Sequence, residues 1–182
     1  RGDELAFAIS AHLSELVEES LDSLLEARCV EVSTGDDGIS ASNLGLIAAH
    51  YGISIASIDM FSLSVKRGTK LKGVLELVSA AVEFDGLTVR HKERFIMEQI
   101  ADAVPIQPTN QHQYDDPHTK AHLLLQAHFT RLSLPPALQA DQVKVVQRAY
   151  QLAQALFDVC ASHGWLGTAC AAADFCQMLV MA

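Results

Sequence analysis

Three histidines, His118, His122 and His128, fall within eleven residues of the stretch "DDPHTKAHLLLQAHFTRLSLP". Imidazoles four apart can share a helical face, and such a pair is half of a zinc site. A metalloprotease helix would also place a Glu between them as general base. Here the intervening residues are "TKA", no carboxylate is placed as a third ligand, and Lys120 adds a positive charge. The set therefore reads as polar or interhelical histidines rather than metal ligands. Cys160 and His163 stand three apart inside an apolar helical pattern. That spacing is more often packing than a nucleophile–base pair. No GxSxG, P-loop or GxGxxG occurs, so neither an activated serine nor a phosphate cradle is signalled. The sequence thus offers no catalytic residue, no metal set and no cofactor site, and enzymatic activity is not expected of it.

Cations and amides are the other chemistry on offer. "KRGTKLK" supplies Lys66, Arg67, Lys70 and Lys72, and "RHKER" supplies Arg90, His91, Lys92 and Arg94. Either group can meet phosphate, although a charge cluster is more commonly the solvated start of a helix. "ADQVKVVQRAYQLAQALFDVC" reads as a helix with Val143, Val146, Ala149, Tyr150, Ala153, Leu156, Phe157 and Cys160 on its apolar face. Opposite runs a stripe of Lys144, Gln147, Arg148, Gln151, Gln154 and Asp158. Amides in a row suit hydrogen bonding along a nucleic-acid backbone or a partner chain, and are equally compatible with plain solvent exposure.

The elements that position these groups follow from periodicity. The chain has 182 residues, with 49% hydrophobic and 19% charged, which implies a folded chain with one substantial core. No apolar run is long enough to span a bilayer, and no basic n-region precedes an apolar core as in a secretory signal. Three of the four cysteines sit in apolar helical patterns, which favours a reducing compartment. The first residue is not Met, so the sequence reads as an excerpt. Net charge is −9, and residues 1–40 carry ten of the 22 acids but only two of the 13 bases. Such a balance argues against indiscriminate nucleic-acid binding while leaving local contacts open on the remainder.

Residues 4–27 predict a helix with Leu13, Leu16, Val17, Leu21, Leu24 and Leu25 on one face. A short strand, "CVEVS", and a turn, "TGDDG", follow, and the whole piece reads as an attachment. From Asn43 the pattern is helical throughout. Two short helices divide near Gly52; a third spans 69–84 with Thr69 as N-cap; a fourth ends at Pro105. A polar link at 105–116 leads to a fifth, capped by Asp116 with Pro117 at its first position. A long sixth runs from about Gln139 to His163, ended by Gly164, and an Ala-rich seventh follows. The fold class expected is all-α: a bundle of about seven helices over 43–182 with a long central helix, plus a small N-terminal helix/strand attachment over 1–38.

The order "AHLSELVEESLDSL", "NLGLIAAHYGIS", "FDGLTVRHKE", "DDPHTKAHLLLQAHFTRLSL", "QALFDVCASHGWL" resembles one family over about residues 11–182. It looks like the helical-bundle part of the "Sec sixty-three" unit of large Ski-two-like RNA helicases. Within that family, "SELVEESLDSL" and "FSLSVKRGTKLKGVLELVSAAVEF" favour the C-terminal cassette of the spliceosomal branch. The branch of the activating signal cointegrator complex is the alternative. The resemblance implies a non-catalytic module, nuclear, in a helicase whose RecA-like domains bind ATP and Mg and whose winged helix would trail into residues 1–38. It implies partners in those domains, in spliceosomal proteins and in single-stranded RNA. It maps a "ratchet" helix across the RNA path onto residues 139–163, making Lys144, Gln147, Arg148, Gln151 and Gln154 the implied nucleic-acid contacts. Active cassettes tend to carry arginines where Gln151 and Gln154 stand. A neutral amide supplies no counterion release, so the implied grip on RNA is weak. A protein-interaction scaffold without RNA contact is the competing reading.

Overall fold

In the computed structural model, residues 2–32, 38–108 and 113–182 are described. The turn expected at "TGDDG" falls mostly outside them.

The first helix, α1 (Gly2–Glu26), forms as its periodicity demands, but its stripe stays largely uncovered: Leu13, Leu16, Val17 and Leu25 are exposed. Burial begins only where α1 ends, at Ala27 and Cys29. There the chain turns sharply through Arg28, which adopts φ 55°, a left-handed conformation uncommon for a non-glycine residue. Its guanidinium holds the turn by donating to Asp59 Oδ1 at 3.0 Å and Ser62 Oγ at 3.3 Å. Strands β1 (Val30–Val32) and β2 (Ile39–Ala41) pair antiparallel, with Glu31 opposite Ser40.

Seven helices follow: α2 (Asn43–Tyr51), α3 (Ile55–Ser64), α4 (Leu71–Ser79), α5 (Arg94–Ala103), α6 (Pro117–Phe129), α7 (Pro136–Ser162) and α8 (Leu166–Met181). They make the all-α bundle the sequence predicts. Ser42 caps α2 by accepting from Gly45 N at 3.1 Å, while its hydroxyl donates to Arg28 O at 2.6 Å. Gly45 is where α2 lies against the joint: a Cβ built there would stand 2.0 Å from Cys29 O.

Three boundaries differ from expectation. Thr69 is not the cap of α4; that position is Lys70, without a side-chain bond, because the Thr69 hydroxyl is spent on the preceding loop at Lys66. Helix α4 stops at Ser79, and Val82–Phe84 form a separate 3-10 turn. The break turns Phe84 into the core and brings the Glu83 carboxylate onto the N–H of Ser54 (2.7 Å) and the hydroxyl of Ser57. Helix α7 begins at Pro136, one turn early, since proline fits the first turn, where its missing N–H has no intrahelical partner to lose.

Helix α6 is the most enclosed element. Every residue from Thr119 to Ala127 is buried, and Asp116 caps it by accepting from Thr119 N at 2.7 Å. No described helix is long and apolar enough to cross a membrane.

Candidate nucleic-acid interface

At 1.5 Å rise per residue, the 27 residues of α7 run about 40 Å through the bundle. Its neighbours are α2, α3, α4, α6 and α8. Leu138, Val145, Ala149, Leu152, Ala153, Ala155, Leu156, Val159 and Cys160 face inward. The helix is therefore rotated from the face read in the sequence. Val143 is exposed and Tyr150 and Phe157 keep 36% and 37% of their surface, whereas Val145, Leu152, Ala155 and Val159 are buried in their place. The side of α7 that is covered is set by where α2, α3, α4, α6 and α8 pack against it, and the Tyr150 and Phe157 rings fall at the rim of that contact.

The amide stripe does lie outward. Lys144, Gln147 and Gln151 are exposed, and Gln154 is half-buried. Arg148 is drawn out of the row: its guanidinium donates to Gly52 O at 3.0 Å and Gln151 Oε1 at 2.7 Å, with Glu83 Oε1 3.9 Å away. Asp158 likewise turns to the fold, accepting from Tyr51 Oη at 2.7 Å. Lys144 is left as the stripe's cation without an ion pair among the described residues. The outer side of α7 thus presents one free ammonium, three amides and two part-exposed aromatic rings. Such a surface can hydrogen-bond a strand and stack bases, but supplies little counterion release.

A charged cluster that sequence reasoning missed fixes the start of α7. Lys120, 0% exposed, donates to Thr88 O at 2.7 Å, Glu93 Oε2 at 2.8 Å and Asp141 Oδ2 at 2.7 Å. Arg90 closes the set by bonding Glu93 and reaching Asp141 Oδ2 at 3.0 Å. Burial alone would push both carboxyls up. The hydrogen bonds and charges of Lys120 and Arg90 overcome it and hold Glu93 and Asp141 below the usual carboxylate range. The cluster ties the 3-10 turn His91–Glu93, which leads into α5, to α6 and to α7, three residues before Lys144. Its sequence signal was Lys120 as the sole Asp, Glu, Lys or Arg of the helix between Pro117 and Phe129. It also withdraws Arg90 from the "RHKER" cations, while Arg94 pairs with Glu98 and Asp115 at 3.6 Å.

The remaining candidates are structural. His118 bonds Ser79 O through Nδ1 (3.0 Å) and Asp85 Oδ1 through Nε2 (2.9 Å), and His128 Nε2 meets Leu179 O at 3.0 Å. His122 is buried; its Nδ1 faces Gln126 Nε2 at 3.3 Å and its Nε2 has no partner. Burial, with the charge of Lys72, pushes its pKa down to about 4. The three histidines thus serve separate contacts. Among the described residues no group of three or more His, Cys, Asp or Glu side chains is placed to hold a metal ion. Burial pushes the Cys160 thiol up to about 11, and His163 is occupied by Val159 O at 2.7 Å and by stacking on Trp165. That is packing, not a dyad.

Residues 41–182 match the Sec63 Brl domain family. The U5 small nuclear ribonucleoprotein 200 kDa helicase of Homo sapiens is 40% identical over 174 residues, 96% of this chain and 8% of that protein. The pre-mRNA-splicing factor brr2 of Schizosaccharomyces pombe is 39% identical over 175 residues, again 96% of this chain and 8% of that protein. Activating signal cointegrator 1 complex subunit 3 of Homo sapiens is 36% identical over 180 residues, 98% of this chain and 8% of that protein. The chain spans about 8% of the length of these curated relatives. It belongs to the Sec63 Brl domain family.

Proposed function

We propose that this member of the Sec63 Brl domain family is a non-catalytic helical module of a spliceosomal RNA helicase, nuclear, lying beside ATPase domains and bordering the path of one RNA strand. The higher identity to the U5 particle helicases than to the signal-cointegrator subunit supports the spliceosomal branch. In this reading ATP and Mg belong to motor domains elsewhere in the longer protein. Residues 1–38 are the trailing end of a winged-helix region and its joint, and the cassette is the C-terminal one, acting as a regulatory and protein-interaction platform in pre-mRNA splicing. The observation that carries the RNA contact is the outer row of α7, with Lys144, Gln147, Gln151 and Gln154 exposed or half-exposed beside Tyr150 and Phe157. With Arg148 committed to Gly52, one cation remains for phosphate, so binding by this row is weak and its salt dependence shallow.

The test is a titration of single-stranded oligouridylate against the chain at low and moderate salt, beside a Lys144→Glu/Gln151→Glu variant. A measurable loss of affinity in that variant, with the helical content unchanged, supports the α7 contact. Binding indifferent to both changes removes it and leaves the scaffold reading, in which the bundle docks proteins and the row meets no RNA.

A further inference from the structure

The loop between α3 and α4 contains Lys66, Arg67 and Lys70, and no acid occurs from Ser64 to Gly73 in a chain of net charge −9. The loop is folded onto itself. Thr69 N and the Thr69 hydroxyl both donate to Lys66 O, at 3.0 and 2.9 Å, and the same hydroxyl accepts from Lys66 N at 3.1 Å. Gly68, at φ 92°, makes the turn that a side chain would strain. A side chain from far along the chain then pins it: Thr168 of α8, 0% exposed, accepts from Gly68 N at 2.9 Å and donates to Lys66 O at 3.1 Å. Lys66, Arg67 and Lys70 are left exposed on a fixed backbone, with no ion pair among the described residues, whereas Lys72 is turned toward Glu76 at 3.8 Å.

Thr168 follows an aromatic pair in the chain, His163 and Trp165. Trp165 lies one turn earlier and its carbonyl accepts from Thr168 N at 3.0 Å. The Trp165 ring packs against the core and stacks with His163, centroids 4.7 Å apart and planes 29° from parallel. His163 is exposed, and its bond to Val159 O at 2.7 Å holds the ring in place. Residues 161–173 are also free of acids.

We propose that the 66–70 loop and the His163–Trp165 pair form a second binding site for single-stranded nucleic acid, distinct from the outer row of α7. Lys66, Arg67 and Lys70 take phosphates and release counterions. A base stacks on the open side of the His163 ring, a contact available to every base because each has a π-face. An acidic peptide would use the cations and leave the rings idle. Because Thr168 and Thr69 already order the loop, little conformational freedom is lost on binding. The site draws nothing from Lys144 or Gln151, so it stands or falls separately from the α7 contact.

Trp165 is the single tryptophan of the chain, so its emission reports on this site alone. Oligouridylate should quench it saturably in the unaltered chain and in Lys144→Glu. The triple change Lys66→Gln/Arg67→Gln/Lys70→Gln should weaken binding at least tenfold. It should also lower the slope of log affinity against log salt by about 2, at ~0.7 per phosphate on a single strand. His163→Ala, at an exposed position, should weaken binding about fivefold or more while leaving that slope unchanged. Circular dichroism checks that each variant is folded. The proposal is overturned by RNA binding, read by anisotropy, that leaves Trp165 emission unchanged, or by full affinity in the triple variant. Failure of the unaltered chain to bind also overturns it. So does equal competition by an oligoglutamate peptide with no effect of His163→Ala, which would assign the loop to an acidic protein instead.

Discussion

Replacing Lys120 with methionine keeps the length of the side chain and removes the charge at the centre of the Arg90–Glu93–Asp141 cluster. Lys120 is wholly buried and satisfies three oxygens at 2.7–2.8 Å. Without it, two buried carboxylates share only Arg90, whose side chain is half exposed. Breaking a buried ion set by deleting one partner costs about 3–5 kcal/mol, against a total stability of roughly 5–15 kcal/mol. For a chain of this size that is a fall in Tm of roughly 10 °C. The pH dependence makes the expectation sharper. Both carboxyls are held low in the folded protein, so their stabilisation is present above the unfolded values, near pH 4, and is lost as pH falls through the folded ones. The deficit of Lys120→Met should therefore be largest near neutrality and shrink once the carboxyls are protonated. Adding Glu93→Gln and Asp141→Asn should recover at least half of the loss, because no unpaired charge then remains buried. Urea denaturation followed by far-ultraviolet circular dichroism measures each quantity. A deficit below about 1 kcal/mol, or one unchanged from neutral to acid pH, would refute the reasoning.

His122 titrates in a different window. Its folded value of about 4 lies below the ordinary 6.5, so the unfolded chain binds more protons between the two. Stability should fall by about 3 kcal/mol as pH drops across that range, and His122→Gln should flatten the dependence in urea titrations. Gly45→Ala would put a Cβ 2.0 Å from Cys29 O, and should cost about 1–3 kcal/mol in thermal melts while loosening the β1–β2 amides in hydrogen exchange. Tyr51→Phe removes the 2.7 Å bond to Asp158 and should cost about 1–2 kcal/mol. Burial and that carboxylate push the Tyr51 phenol up to about 12, so the same variant should also lose the late-titrating phenol from an alkaline absorbance titration.

The sequence by itself determined the helices. Apolar spacing, Asp116–Pro117 at one start and Gly164 at one end sufficed for seven helices after Asn43, because periodicity and capping are local properties of the chain. It also placed Lys144, Gln147 and Gln151 on the outer side of α7, since their spacing keeps them on one face whatever surrounds it. Only the tertiary structure decided how α7 is turned, leaving Tyr150 and Phe157 at the rim, because the covered arc depends on how many helices surround it. Only it decided that Arg148 bonds Gly52 and that Lys120 is a buried hub rather than a surface charge. It also set Thr168 against the 66–70 loop. In each case the partner lies far away in sequence, and no local pattern records which distant oxygen will meet a given donor.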